Sequence, residues 1–69
     1  MNIDRLVRMA NDIGNFFKSE PDHAVAVDGV AGHIRRFWDP RMRKEIVAHL
    51  EGGGDGLSGL AREAVAKLR

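Results

Sequence analysis

His23-Ala24-Val25-Ala26-Val27-Asp28-Gly29-Val30-Ala31-Gly32-His33-Ile34-Arg35-Arg36-Phe37-Trp38 admits two readings. Val25, Val27, Val30 and Ile34 are β-branched and would suit a strand. Their spacing argues against one. Positions 27, 30, 31, 34 and 38 recur at helical intervals, and no apolar/polar alternation persists. The stretch therefore reads as a helix from about Glu20 or Pro21 to Phe37 or Trp38. Its apolar face is Ala24, Val27, Val30, Ala31 and Ile34, with Phe37 and Trp38 at its end. Ser19 followed three residues later by Asp22 resembles a capping box, and Pro21 is tolerated in a first turn.

The same logic extends in both directions. Upstream, Ile3, Leu6, Val7, Ala10, Ile13, Gly14 and Phe17 fall within one arc at about 100° per residue, which predicts a helix from about Ile3 to Lys18 with Asn2 as N-cap. Gly14 lies on that arc, where a missing side chain lets another helix come close. Downstream, Asp39-Pro40 joins an N-cap residue to a proline at the first helical position, a strong start signal. The helix it opens runs from about Pro40 to Glu51, with Met42, Ile46, His49 and Leu50 on one side. Gly52-Gly53-Gly54-Asp55-Gly56 stops it and predicts a flexible loop. Ser58 caps a last helix, roughly Gly59 to Leu68, with Leu57, Leu60, Ala61, Ala64, Val65 and Leu68 as its stripe. The expected architecture is all-α, one domain over residues 1–69, a small bundle of three to four short helices.

Composition bounds the function. The chain has 69 residues, 43% hydrophobic and 30% charged, an ordinary balance for a soluble globular protein. A core this small rarely supplies more than about 3–5 kcal/mol, and it is hard to enclose a substrate pocket with so few residues. A binding or subunit role is favoured over an independent enzyme. Eleven Lys and Arg against ten Asp and Glu give a net charge of +1, which demands neither nucleic acid nor membrane. No apolar run is long enough to cross a bilayer. Asp4, Arg5 and Arg8 interrupt the only candidate for a signal peptide. With no cysteine there is no disulfide framework and no thiolate chemistry, and the expected compartment is the cytoplasm.

Catalytic constellations are thin. His23, His33 and His49 are not spaced as a paired metal site, and no cysteine joins them, so no metal is expected. Ser19 and Ser58, the only serines, both read as helix caps rather than nucleophiles. The glycine-rich loop has no following Lys-Ser or Lys-Thr and is not a phosphate-binding loop.

The informative cluster is His33-Ile34-Arg35-Arg36-Phe37-Trp38-Asp39-Pro40-Arg41-Met42-Arg43-Lys44. It holds five of the eleven basic residues and the only tryptophan. Three readings of this positive corner stay open: a solvated face, a protein interface anchored by arginine and aromatics, or a nucleic-acid contact through phosphates. The last is weakened by the near-neutral total charge and by the lack of a long basic stripe. Met9 and Phe16 fall at nearly the same angle on the first helix and make a second, off-axis apolar stripe. It either meets the fourth helix or stays open to a partner. Gly29 and Gly32 lie opposite the apolar arc of the second helix, either for close approach by another chain or as tolerated drift.

At this point the sequence resembles a known family. Met9-Ala10-Asn11-Asp12-Ile13-Gly14-Asn15-Phe16-Phe17, then His33 to Arg43, and then the glycine-rich loop leading into Gly56-Leu57-Ser58 and an Ala/Arg/Leu helix, are similar to the delta subunit of soluble NAD-dependent formate dehydrogenases. Phe37-Trp38-Asp39-Pro40-Arg41-Met42 is the specific part. The resemblance implies a non-catalytic accessory subunit of a cytoplasmic molybdenum- or tungsten-containing complex. It would dock on the large alpha subunit and support its assembly, cofactor loading or stability. Bis-molybdopterin guanine dinucleotide, iron–sulfur clusters, flavin and NAD would all sit on other subunits. Zero cysteines agree, since iron–sulfur ligation needs several, and no dinucleotide fingerprint is present. By resemblance, the partner contact falls at Arg35, Arg36, Phe37, Trp38, Asp39, Pro40, Arg41, Met42 and Arg43, with Met9 and Phe16 as secondary candidates. Apolar anchors would be buried and the arginines would pair with partner carboxylates. A small nucleic-acid-binding module using the basic corner from Arg35 to Lys44 is the rival reading.

Overall fold

The computed structural model describes residues 2–69, and these form four α-helices with no strand among them. Helix α1 spans Ile3–Phe17, α2 His23–Phe37, α3 Pro40–Glu51 and α4 Gly59–Ala66. Each helix starts on a side chain that captures an otherwise unpaired backbone N–H. Asn2 accepts from the Asp4 amide at 2.9 Å. Asp39 accepts from the Met42 amide at 2.9 Å, with Pro40 in the first turn. Ser58 accepts from the Ala61 amide at 3.3 Å.

The start of α2 differs from the sequence expectation. Ser19 does not cap it, and Glu20 and Pro21 lie outside it. Asp22 is the N-cap, accepting from the amides of Ala24 at 3.0 Å and Val25 at 3.3 Å. A carboxylate holding two amides outcompetes a hydroxyl three residues earlier, and Pro21 disfavours helical backbone at Glu20. Helix α4 is also shorter than expected. Beyond Ala66 the chain tightens into i→i−3 bonds from Lys67 to Ala64 and from Leu68 to Val65.

The core draws on every helix. Leu6 and Ala10 of α1, Val30 and Ile34 of α2, Ile46 of α3, and Ala61 and Val65 of α4 are all buried. Two positions on the expected face of α2 move outward, Ala24 and Phe37, and Ala26 is buried instead. Trp38 is only 5% exposed. The separation of Phe37 from Trp38 has a backbone cause: Trp38 is the C-cap, at φ −89° and ψ 139°. Leaving the helical conformation there swings the indole under the bundle, while Phe37 keeps its helical direction outward.

Two glycines on helix faces are explained by neighbours. A Cβ at Gly14 would sit 3.5 Å from Ser58 Oγ and 3.8 Å from the Ala61 amide nitrogen, so the start of α4 lies directly over it. Gly29 is not on a free face. A Cβ there would fall 2.5 Å from Cε1 of the Phe17 ring, which occupies that space. Gly32 has open space around it.

The loop after α3 is tied down rather than loose. The Gly54 amide bonds to the His49 carbonyl at 2.9 Å and the Gly53 amide to the Leu50 carbonyl at 3.0 Å, a Schellman closure with Gly53 at φ 121°. Arg62 donates to the carbonyls of Gly53 at 2.9 Å and Gly54 at 2.8 Å. Asn11 donates to the Gly56 carbonyl and accepts from the Ser58 amide, both at 2.9 Å.

Candidate docking surface

The corner from Arg35 to Lys44 is the turn between α2 and α3, and its residues separate into structural and free groups. Arg43 Nη1 donates to the Trp38 carbonyl at 2.7 Å and the Arg35 carbonyl at 3.1 Å. Arg35 Nη2 donates to the Lys67 carbonyl at 2.7 Å. Both guanidiniums thus sit on carbonyls left unpaired at helix C-termini, where a cation also meets the negative end of the helix dipole. Trp38 is in the core, and Asp39 and Pro40 form the α3 start. Met42 is half-buried against the core. Arg35 is exposed as well, but the exposed cations of the corner with no hydrogen bond or ion pair among the described residues are Arg36, Arg41 and Lys44.

The apolar part of the corner opens on two clefts along one flank of α1. Phe37 is 66% exposed and its ring lies against the His33 imidazole, centroids 4.7 Å apart and tilted by 43°. His33 in turn lines a groove of about 410 Å³ with Asp12, Ile13, Phe16 and Phe17. Phe16, 79% exposed, stands edge-on to Phe17 at 5.1 Å. Two turns earlier on α1, Met9 faces Met42 of α3 across a cleft of about 200 Å³ shared with Arg5 and Leu6. The off-axis stripe of α1 therefore does not run along α4. Its Met9 end is met by α3, and its Phe16 end is open beside α2.

On another side, Pro40, Arg41, Lys44, Val47 and Leu68 line a wider groove of about 680 Å³ between α3 and the chain end. The partner candidates thus do not form one surface. Phe37, Phe16 and Met9 belong to the α1 flank, while Pro40 and Arg41 belong to this second groove.

Sequence reasoning did not select His33, Ile13 or Phe17 as partner-contact residues. The signal for His33 was its spacing, one helical turn before Phe37. For Ile13 and Phe17 there was no signal, because both lie on the arc that also packs the core.

The histidines do not converge. His23 Nε2 is 2.7 Å from the Glu63 carboxylate, and His49 Nε2 is 2.8 Å from the Asp55 carbonyl. No group of three His, Asp, Glu or Cys able to hold a metal occurs among the described residues. Among the described residues no helix is long and apolar enough to cross a membrane.

These features define a small all-α protein; among the described residues its large exposed apolar side chains are Phe16, Val25 and Phe37, two of them on one flank. The family model described as NADH-dependant formate dehydrogenase delta subunit FdsD matches residues 5–65, and the chain belongs to that family. No curated protein and no solved structure matches it.

Proposed function

We propose that this chain is a non-catalytic accessory subunit that docks on the large, cofactor-bearing alpha subunit of a cytoplasmic NAD-dependent formate dehydrogenase and supports its assembly, cofactor loading or stability. The family match over residues 5–65 carries the reading. The exposed rings of Phe16 and Phe37 are consistent with it, since aromatics are enriched where interfaces concentrate their binding energy. We assign bis-molybdopterin guanine dinucleotide, iron–sulfur clusters, flavin and NAD to the other subunits; for the clusters the chemical reason is that a chain without cysteine has no thiolate ligand. Docking acts by mass action: a protein that binds only the cofactor-loaded or assembled state raises that state's population. Within the corner from Arg35 to Arg43 we assign the contact to residues not used by the fold, together with Met9 and Phe16, since Trp38 is in the core and Arg35 and Arg43 hold backbone carbonyls. The nucleic-acid reading is the weaker one, because Arg35 and Arg43 already hold backbone carbonyls.

The test is to prepare the formate dehydrogenase complex from a host with and without this chain. Expected are co-purification of the chain with the alpha subunit and, in its absence, lower pterin content or a lower melting temperature of the complex. Equal pterin content and equal melting temperature in both preparations would sink the reading.

A further inference from the structure

We propose that the flank of α1 running from Met9 to Phe16 and on to Phe37, and not the wider groove beside α3, is the docking face, and that its occupant is an amphipathic helix of the alpha subunit with acidic residues at its margins. The inference rests on the subunit reading above and narrows it to one surface and one partner chemistry.

Shape and polarity point to that face. Met9 and Phe16 are seven residues apart on one side of α1, about 10 Å along the axis. Each borders a mostly apolar cleft, one closed by Met42 and the other by His33, against which Phe37 lies. The result is a ridge-and-cleft track two turns long, with its most exposed rings at one end. A short helix with apolar residues at i, i+3, i+4 and i+7 fits such a track. Strand addition has nothing to build on, since no sheet edge exists among the described residues.

Charge specifies the occupant further. Arg5 lines the Met9 cleft, and Arg36 precedes Phe37 on the outer face of α2. Neither has a hydrogen bond or ion pair with another described residue, in contrast to Arg35 and Arg43. Free guanidiniums near both ends of an apolar track fit carboxylates at matching places on a partner. Asp12 on the rim of the aromatic groove places the acidic groups toward the ends rather than the middle. The wider groove has the opposite character: cationic Arg41 and Lys44 over a lining that Glu51 also shares, and no exposed aromatic ring.

The test measures binding of the purified chain to the purified alpha subunit by calorimetry, with circular dichroism to verify folding. The Phe16→Ala/Phe37→Ala double variant removes two exposed rings and is expected to stay folded while losing at least about tenfold in affinity, as two interface anchors would. Arg36→Glu is expected to weaken binding by a similar factor, with the loss shrinking as salt is raised. Lys44→Glu in the other groove is expected to bind like the wild type. Normal affinity in the double variant together with loss in Lys44→Glu would overturn the assignment of the face while leaving the subunit reading intact. Loss in the double variant with no effect of Arg36→Glu would overturn the acidic character of the partner. Failure of the wild-type chain to bind the alpha subunit at all would overturn the subunit reading itself. A wild-type dimer in sedimentation that Phe16→Ala/Phe37→Ala converts to monomer, with alpha-subunit affinity unchanged, would assign the face to a second copy and overturn the proposal.

Discussion

Phe37 and Trp38 follow one another in the chain, yet one ring is in solvent and the other in the core. Their substitutions should diverge accordingly. Removing a buried indole costs about 3–5 kcal/mol, comparable with the whole stability of a domain this size. Trp38→Ala is therefore expected to leave the free chain largely unfolded in far-UV circular dichroism. Phe37→Ala is expected to stay within about 0.5 kcal/mol of wild type, as exposed positions do. The two glycines of α2 form a second pair. Gly32 has open space, so Gly32→Ala should stabilise by roughly 0.5–1 kcal/mol through helix propensity. At Gly29 a methyl group meets the Phe17 ring at 2.5 Å and must displace it. Gly29→Ala is expected to melt below wild type and Gly32→Ala above it. A Gly29→Ala variant as stable as Gly32→Ala would mean the ring is not held there.

Helix boundaries in this chain are set by single side chains, and those can be tested one at a time. Asp39→Ala and Asp22→Ala each remove an N-cap and should cost about 1 kcal/mol in chemical denaturation. Ser19→Ala should cost nothing measurable, since no backbone amide depends on it. Asp39 and Ser58 were identifiable from sequence because proline or an apolar run follows at fixed spacing. At α2 the sequence pattern assigned the cap to Ser19 and only the acid's place in a capping box to Asp22, whereas Asp22 is the cap. The choice between them turned on the path of residues 18–21, where the Glu20 amide bonds to the Phe17 carbonyl at 3.0 Å and the Glu20 side chain accepts from the Asp22 amide at 3.2 Å.

Across the whole molecule, the bundle is fastened by polar contacts between segments far apart in sequence. Asn11 on α1 holds both sides of the turn before α4, at Gly56 and Ser58. Lys67 near the chain end meets Asp28 on α2 at 3.1 Å, and its carbonyl takes Arg35. Ion pairs this exposed contribute little, but the two neutral hydrogen bonds of Asn11 should contribute about 1–2 kcal/mol together. Asn11→Ala is expected to lower the urea midpoint by a corresponding amount and to speed hydrogen exchange at the Ser58 amide. Unchanged exchange there would show that the Schellman closure and Arg62 hold the loop without Asn11.

The four helices and the caps of α1, α3 and α4 were legible in the residues alone. Apolar spacing, cap chemistry and the proline at position 40 act within about one helical turn, so a local pattern contains them. So was the importance of the corner from Arg35 to Lys44, as a concentration of arginine and aromatic residues. The tertiary structure alone decided which members of that corner are free. Arg35 and Arg43 hold backbone carbonyls, Trp38 turns inward at the C-cap, and Phe16 shares a groove with His33, against which Phe37 lies. Those outcomes depend on how one helix is rotated and placed against another, and the periodicity within a single helix carries no information about that.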